Sequence, residues 1–265
     1  MSTHPLPSDV QDLEHRIARL MANANGDFGM YGEGDRILVG ISGGKDSWTL
    51  LHLLRRVQRK APFRFELLAF HLDQGHPGFP TDLLESYLRA EGYEYVIHRA
   101  DTYSIVTDKV APGSTPCSLC SRLRRGILYT EAVRLGCNRI ALGHHREDLI
   151  ETLLLNLFYS GQLQTMPPKL KSDDGRNIVI RPLAFVPEAW IADYARAMRF
   201  PVVPCVLCGR GRDLKRDRMG DLVTALEKEI PDVKKSLMAA MANVHLSHLL
   251  DSRVFDPRAL DADLR

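Results

Sequence analysis

The sequence predicts an α/β protein built on a doubly wound parallel sheet, with an N-terminal helix and a C-terminal helical extension. Three observations predict it. Short apolar runs of strand length alternate with longer segments of helical period, the pattern of a parallel sheet covered on both faces. A glycine-rich turn, Ser42 to Ser47, joins the first of these strands to a helix. After Pro201 the strand signals stop and the chain reads as helical and polar.

Val10, Leu13, Ile17, Leu20 and Met21 recur at helical spacing, which predicts an amphipathic first helix ending in the Asn-rich turn before Gly26. Asp35 to Gly40 reads as a short buried strand, and Leu50, Leu51, Leu53 and Leu54 mark the helix after the glycine turn. Phe65 to Leu72 predicts a second strand, Thr81 to Ala90 a helix and Tyr93 to His98 a third strand. A loop then carries Cys117 and Cys120, followed by a helix from about Ser121 to Leu135 with Gly136 as its C-terminal stop. Arg139 to Leu142 is a further strand and Arg146 to Tyr159 a further helix. Gly161 to Arg176 reads as loop, because it holds Pro167-Pro168 and Asp173-Asp174-Gly175. Asn177 to Ile180 predicts the last strand and Glu188 to Met198 a helix behind it. The expected division is an N-terminal helical segment over 1–30, the sheet domain over 31–200 and a C-terminal helical extension over 201–265. The sequence shows no internal repeat and no low-complexity tract.

A hydrophobic content of 45% with 26% charged residues places the chain among soluble globular proteins. A formal charge of +2 is too small to imply a polyanion partner, so nucleic-acid binding has to be argued from local clusters. The first 25 residues are polar, and no apolar run approaches the roughly 20 residues of a membrane helix. A cytoplasmic location without a membrane partner is therefore expected, and a homodimer on base rate alone. In a reducing compartment, five cysteines point to metal binding or chemistry before disulfides.

In open parallel sheets, ligands sit beyond the carboxyl ends of the strands. Ser42, Asp73 and His144 each follow a predicted strand, so all three are expected along that edge. The turn Ser42-Gly43-Gly44-Lys45-Asp46-Ser47 suits phosphate. Its glycines admit close backbone approach, and the N–H groups opening the next helix supply donors and the favourable dipole end. Lys45 adds a point charge, Asp46 can help hold Mg²⁺, and Ser42 and Ser47 offer hydroxyls. Two commoner motifs are excluded. A P-loop has four residues between its glycines, whereas three separate Gly40 from Gly44, and Asp46 stands where the Mg²⁺-binding hydroxyl would be. The dinucleotide pattern fails because Gly32 and Gly34 precede the strand. A plain Gly-Gly strand-to-helix connection is the bland alternative. The strand, turn and helix together resemble the PP-loop of the ATP pyrophosphatase superfamily, whose fold is adenine-nucleotide alpha-hydrolase-like. That resemblance implies cleavage of ATP between the α and β phosphates, with AMP passing to a substrate oxygen.

Pro116-Cys117-Ser118-Leu119-Cys120 and Pro204-Cys205-Val206-Leu207-Cys208 are two C-x-x-C pairs. Each can present two sulfurs to one metal, and spacing alone favours structural Zn²⁺ over an iron–sulfur cluster, with both open. Neither pair opens a thioredoxin-like unit, and Cys137 reads as a small buried hydrophobe.

Longer motifs narrow the reading. Cys117-Ser-Leu-Cys-Ser-Arg-Leu-Arg-Arg-Gly-Ile-Leu-Tyr129 resembles the signature of the tRNA 2-thiocytidine biosynthesis proteins. So do Leu72-Asp73-Gln74, Pro77-Gly-Phe-Pro80, Gly143-His-His-Arg-Glu-Asp148, Met166-Pro-Pro-Lys-Leu170, Ile180-Arg-Pro-Leu183 and Pro204-Cys-Val-Leu-Cys-Gly209. These matches run in order from about Gly34 to Asp256. The resemblance implies an ATP-dependent tRNA sulfurtransferase that thiolates C2 of cytidine 32 in the anticodon loop, using ATP, Mg²⁺ and a [4Fe–4S] cluster. It implies cluster ligation by Cys117, Cys120 and Cys208, with one iron open to the incoming sulfur. It casts Lys45, Asp46 and Cys208 as catalytic, with Mg²⁺ on Asp46 and Asp148. His144 would contact phosphate, and Leu72 and Asp73 would lie near the adenosine. A sulfur donor such as a cysteine desulfurase is the implied protein partner.

Two departures stand out. The family usually shows Gly-Ser-Gln where this chain has Gly209-Arg210-Gly211, and many members carry a cysteine where Leu250 stands. Neither removes an implied cluster ligand. Arg122, Arg124 and Arg125 follow the first pair, and Arg210, Arg212, Lys215, Arg216 and Arg218 follow the second. Both runs would form a phosphate-binding rim if the pairs meet, or solvated helix faces if they do not. Two other readings remain: another PP-loop tRNA-adenylating enzyme, such as a lysidine or 2-thiouridine synthetase, or a zinc-stabilised nucleotide-binding module without catalysis.

Overall fold

The computed structural model describes residues 7–109, 117–172, 174–203 and 214–257, and within these the side chains of Cys117, Ser118 and Leu214 lie outside the description. The elements follow in order: α1 (Ser8–Phe28), β1 (Arg36–Gly40), α2 (Lys45–Lys60), β2 (Glu66–Asp73), α3 (Thr81–Ala90), β3 (Tyr95–Arg99), α4 (Thr102–Lys109), α5 (Cys117–Arg134), β4 (Arg139–Ala141), α6 (Arg146–Leu155), β5 (Lys169–Lys171), β6 (Ile178–Ile180), α7 (Glu188–Ala197), α8 (Leu214–Glu229) and α9 (Val233–Ala242). The chain divides into two compact units, Met1–Gly220 and Asp221–Arg265. In the second unit, Lys234 pairs with Glu227 at 2.8 Å.

The six strands lie in the order β3-β2-β1-β4-β6-β5, with every pairing parallel except that of β5 with β6. Strand alternation decides what covers each face. Ile37, Val39, Ala69, Ala141 and Ile180 share one buried cluster with residues of α1, α2, α3 and α7. Leu38, Leu68, Phe70 and Ile140 point the other way and share a cluster with Ala132 of α5 and Cys137. The sheet is thus doubly wound, as the alternating pattern predicts. Leu50, Leu51, Leu53 and Leu54 of α2 are all fully buried, each stabilising the core by about 1.5–3 kcal/mol relative to exposure.

The direction of winding reverses between β1 and β4: β2 and β3 extend to one side, β6 and β5 to the other. A crevice opens outside the carboxyl ends at such a switch point. The two turns that leave it are Ser42 to Gly44 and Leu142 to His145.

Several boundaries differ from the sequence expectation. α1 runs through Gly26 and stops at Gly29, in the left-handed conformation (φ 53°). A helical glycine is unfavourable by roughly 1 kcal/mol relative to alanine. Buried Ala24 and the Asn25 side chain offset this, Asn25 making two hydrogen bonds to the Tyr31 backbone. α5 begins at Cys117, not near Ser121, so positions 117 and 120 belong to its first turn instead of a loop. The helix from Arg146 leaves α geometry at Asn156 and finishes as a π-turn, Asn156–Ser160. β5 falls inside the stretch expected to be loop, and α4 was not expected. β5 is three residues long and exposed, with two lysines that suit a sheet edge, so it carries no hydrophobic signal.

Candidate active site

The glycine turn is closed by its own hydroxyls. Ser47 Oγ donates to the Gly44 carbonyl at 2.9 Å and accepts the Ser42 N–H at 3.3 Å, while Ser42 Oγ accepts the Gly44 N–H at 3.2 Å. Gly43 adopts φ +86°, a region strained for any L side chain, and a Cβ there would lie 3.4 Å from Val203 Cβ. Its carbonyl accepts the Val203 N–H at 3.0 Å. α2 starts at Lys45, so the N–H groups of its first turn have no intrahelical acceptor and remain for a ligand. Beneath the turn, buried His71 donates Nδ1–H to the Ile41 carbonyl at 2.8 Å and stacks on Phe79.

The second turn packs directly on the first. A Cβ on Gly143 would meet Asp46 C at 3.0 Å and Ser47 N at 3.1 Å, so only glycine lets the β4–α6 turn approach the first turn of α2 this closely. The approach brings His145 into a ring of carboxylates. Its Nε2 lies 3.4 Å from Asp148 Oδ2 and 3.9 Å from both Asp46 Oδ1 and Glu188 Oε1, and its Nδ1 lies 3.5 Å from Glu147 Oε2. Burial alone would lower the His145 pKa, but Glu147, Asp148, Asp46 and Glu188 outweigh it and raise the value. Lys45 behaves likewise: burial is outweighed by Asp46 and Glu188, each 2.9 Å from Nζ, and its pKa rises. Glu147 falls to about 2, because burial is overcome by His145 and Arg146.

His144, the residue singled out from the sequence, has a different environment. Its Nδ1 accepts from Arg181 Nε at 3.3 Å, and burial with the Arg181 charge lowers its pKa to about 4. It is a neutral imidazole with its proton on Nε2. Asp148 accepts the His145 N–H on Oδ2 at 3.0 Å and Arg216 Nη1 on Oδ1 at 3.0 Å. Arg216 also donates Nη2 to Thr152 Oγ1 at 3.2 Å.

Leu72 and Asp73 end β2, the neighbour of β1, and Asp73 Oδ1 accepts the Gly75 N–H at 3.1 Å. Cys120 Sγ donates to Gln74 Oε1 at 3.3 Å, which fixes that sulfur one residue beyond Asp73. Arg122, Arg124 and Arg125 are exposed on α5. Cys205 and Cys208, and with them Arg210 and Arg212, lie outside the described residues, as does the Cys117 side chain. Among the described residues no group of three or more His, Cys, Asp or Glu is arranged to hold a metal ion, and Cys120 is the one pair cysteine whose side chain that statement covers. Among the same residues no helix is long and apolar enough to cross a membrane.

Residues 10–203 match the PP-loop domain family. The chain is 54% identical over 243 residues to a tRNA-cytidine(32) 2-sulfurtransferase of Anaeromyxobacter sp. (strain Fw109-5), covering 92% of this chain and 80% of that one. The chain belongs to the tRNA-cytidine(32) 2-sulfurtransferase family. A family member from Cupriavidus metallidurans is 53% identical, over 92% of this chain and 77% of its own length. Among solved structures, the U34-tRNA thiolase NcsA from Methanococcus maripaludis, determined with its [4Fe–4S] cluster, superposes with a TM-score of 0.70. It covers 89% of this chain and 81% of its own at 21% identity, a likeness of fold.

His145, Glu147 and Glu188 were not chosen as site residues from the sequence, and Arg216 entered only as one of a basic run. The His144-His145 doublet offers two rings, and the one nearer the strand was taken. Helix geometry adds the second ring, because His145 at the N-cap of α6 is the one beside Asp148. Glu188 joins through tertiary packing alone, which places the start of α7 against Lys45.

Proposed function

We propose that this chain thiolates cytidine 32 of tRNA to 2-thiocytidine, by ATP-dependent adenylation of the C2 oxygen followed by sulfur transfer. The carrying observation is that described residues of, or flanking, both cysteine pairs bond to the carboxyl-end edge of the sheet from which the glycine turn leaves. Val203, before the second pair, bonds Gly43; Arg216, after it, bonds Asp148; Cys120 of the first pair bonds Gln74 at the end of β2. Chemistry that joins a nucleotide to sulfur needs this proximity.

The residues fit the groups implied. For ATP, the N–H groups opening α2 and the Lys45 ammonium supply donors for phosphate oxygens. For Mg²⁺, the near oxygens of Asp46 and Asp148 lie 3.9 and 3.4 Å from one His145 nitrogen, so they are no more than about 7 Å apart, within reach of a partly hydrated ion. For the cluster, Cys117 and Cys120 occupy one helical turn, and Cys208 would add the third thiolate. Bound Mg²⁺ would draw charge from the phosphates. A [4Fe–4S] cluster held by three thiolates would supply an iron without a protein ligand, at which sulfur is delivered.

The chain's own residues then have defined tasks. The first-turn N–H groups of α2 and Lys45 hold the β and γ phosphates, with Ser42 and Ser47 hydroxyls alongside. As the cytidine C2 oxygen bonds the α phosphorus and pyrophosphate leaves, Lys45 and Nε2–H of His144 take up developing charge. Sulfide then bonds C2, and AMP departs with the original oxygen. Leu72 and Asp73 line the adenosine side, and Glu188 keeps Lys45 extended. Arg122, Arg124 and Arg125 form part of the rim for the anticodon stem. The remaining partners are a sulfur donor such as a cysteine desulfurase, with a thiol reductant that brings its persulfide sulfur to the sulfide level, and, in a cytoplasmic setting, a second copy of the chain.

Iron and acid-labile sulfide analysis of anaerobically purified protein, with nucleotide products assayed in the presence of tRNA, tests this reading. Four iron and four sulfide per chain, with tRNA-dependent AMP and pyrophosphate, are expected. Bound zinc with no iron, or ADP as the product, would contradict it.

A further inference from the structure

Beyond the nucleotide edge, residues 157–164 form an unbroken exposed run. Leu157, Phe158, Tyr159 and Leu163 are 45, 57, 47 and 63% exposed, an unusual outlay of large apolar side chains in eight residues. The run is tied down at both ends. Asn156 Nδ2 donates to the Gln164 carbonyl at 2.9 Å, the Asn156 carbonyl accepts the Gln162 N–H at 3.0 Å, and Thr165 Oγ1 donates to the Leu149 carbonyl. The exposed rings are therefore displayed on a fixed platform. It is built on a π-turn, a rare geometry found frequently at functional sites.

Charge and composition indicate what it meets. Lys215 Nζ lies 4.7 Å from the centre of the Tyr159 ring, and the next residue, Arg216, holds Asp148. Consecutive residues of α8 thus join the ring to the nucleotide site. On the return path of the loop, Arg181 bonds the Pro167 carbonyl and lies within the field of Arg125. An aromatic face beside a cation, on a run that also exposes Phe158, Gln162 and Gln164, suits stacked bases and phosphates of a single strand better than an apolar protein face. The helical rise from Asp148 to Tyr159 is about 16 Å, the length of roughly five stacked nucleotides.

We infer that the platform of Phe158, Tyr159 and Lys215 is a docking surface for unpaired nucleotides flanking the target base of the tRNA anticodon loop. Drawing one base into the adenylation site unstacks its neighbours, and the two rings replace the lost stacking. This rests on the tRNA substrate proposed above.

The test is binding of a fluorescein-labelled anticodon stem-loop and of full tRNA to the full-length protein, followed by anisotropy. Phe158→Ala and Tyr159→Ala should each weaken binding about ten-fold, while Tyr159→Phe, which keeps the ring, stays within about two-fold of wild type. Lys215→Ala should reduce the log–log salt slope by roughly one. ATP affinity and melting temperature should not change, since the rings are exposed. Wild-type binding with unchanged affinity in both alanine variants would overturn the platform and leave the tRNA reading standing. Conversion of a dimer to a monomer by Phe158→Ala, with RNA affinity intact, would also overturn it and mark an interface between copies. Failure of the wild type to bind either RNA would overturn both.

Discussion

Arg216 donates to Asp148 at 3.0 Å, so the helix that follows the second cysteine pair is fastened to a carboxylate of the candidate site. The same guanidinium lies 3.7 Å from Glu151, whose pKa burial raises to about 7 despite that charge. The guanidinium therefore competes with any cation Asp148 is asked to hold, while fixing the chain just beyond the cysteines.

Arg216→Ala should separate these two effects. Freed Asp148 should bind Mg²⁺ more readily, lowering the Mg²⁺ concentration for half-maximal AMP formation. Thiolation should fall more than adenylation, by about ten-fold or more, given the 1.5–3 kcal/mol typical of a charged hydrogen bond. A proportional fall in both, with an unchanged Mg²⁺ requirement, would show that the contact is only structural.

Gly143→Ala places a methyl group 3.0 Å from backbone that cannot swing aside. Overpacking of this kind is expected to destabilise by about 1–3 kcal/mol, and separating the two turns should abolish AMP formation. Urea denaturation with a nucleotide assay checks both; a fully active, equally stable variant would mean the turns are not rigidly docked.

His144 makes one contribution to the pH dependence of stability. Its folded pKa, about 4, lies below the ordinary 6.5, so between these values the unfolded chain binds more protons than the folded one. The contribution is complete above pH 6.5 and is lost as pH falls towards 4, by up to about 3 kcal/mol. His144→Gln, which keeps an acceptor for Arg181, should flatten that slope in denaturation curves taken at a series of pH values.

The cysteines of the second pair should differ. Four protein thiolates would leave no iron for sulfide, so one candidate must stand aside. Cys208→Ala should lose iron and all thiolation, as should Cys117→Ala and Cys120→Ala, whereas Cys205→Ala should still assemble a [4Fe–4S] cluster on anaerobic reconstitution. Equal iron loss in both second-pair variants would indicate a four-cysteine site.

Local chemistry made much of this legible from the sequence. Strand and helix periods gave the doubly wound sheet, and Ser42 to Ser47 stood out because phosphate binding constrains consecutive residues. What escaped depends on tertiary approach. Glu188 and Arg216 reach the site from elements 143 and 171 residues beyond Lys45; nothing near Glu188 marks it, and the basic run around Arg216 pointed to RNA phosphate instead of Asp148. β5 and the π-turn escaped because hydrophobic period is the signal for secondary structure, and there it is short or irregular.

The most direct test of the central claim is mass spectrometry of nucleosides from tRNA lacking the modification, incubated anaerobically with reconstituted protein, ATP, Mg²⁺ and sulfide. One 2-thiocytidine per tRNA, at position 32, should form only when ATP is present, with an equal amount of AMP, and Asp46→Ala should yield neither. Unmodified cytidine 32 after incubation with a protein that contains its full cluster, or 2-thiocytidine formed without ATP, would contradict the account.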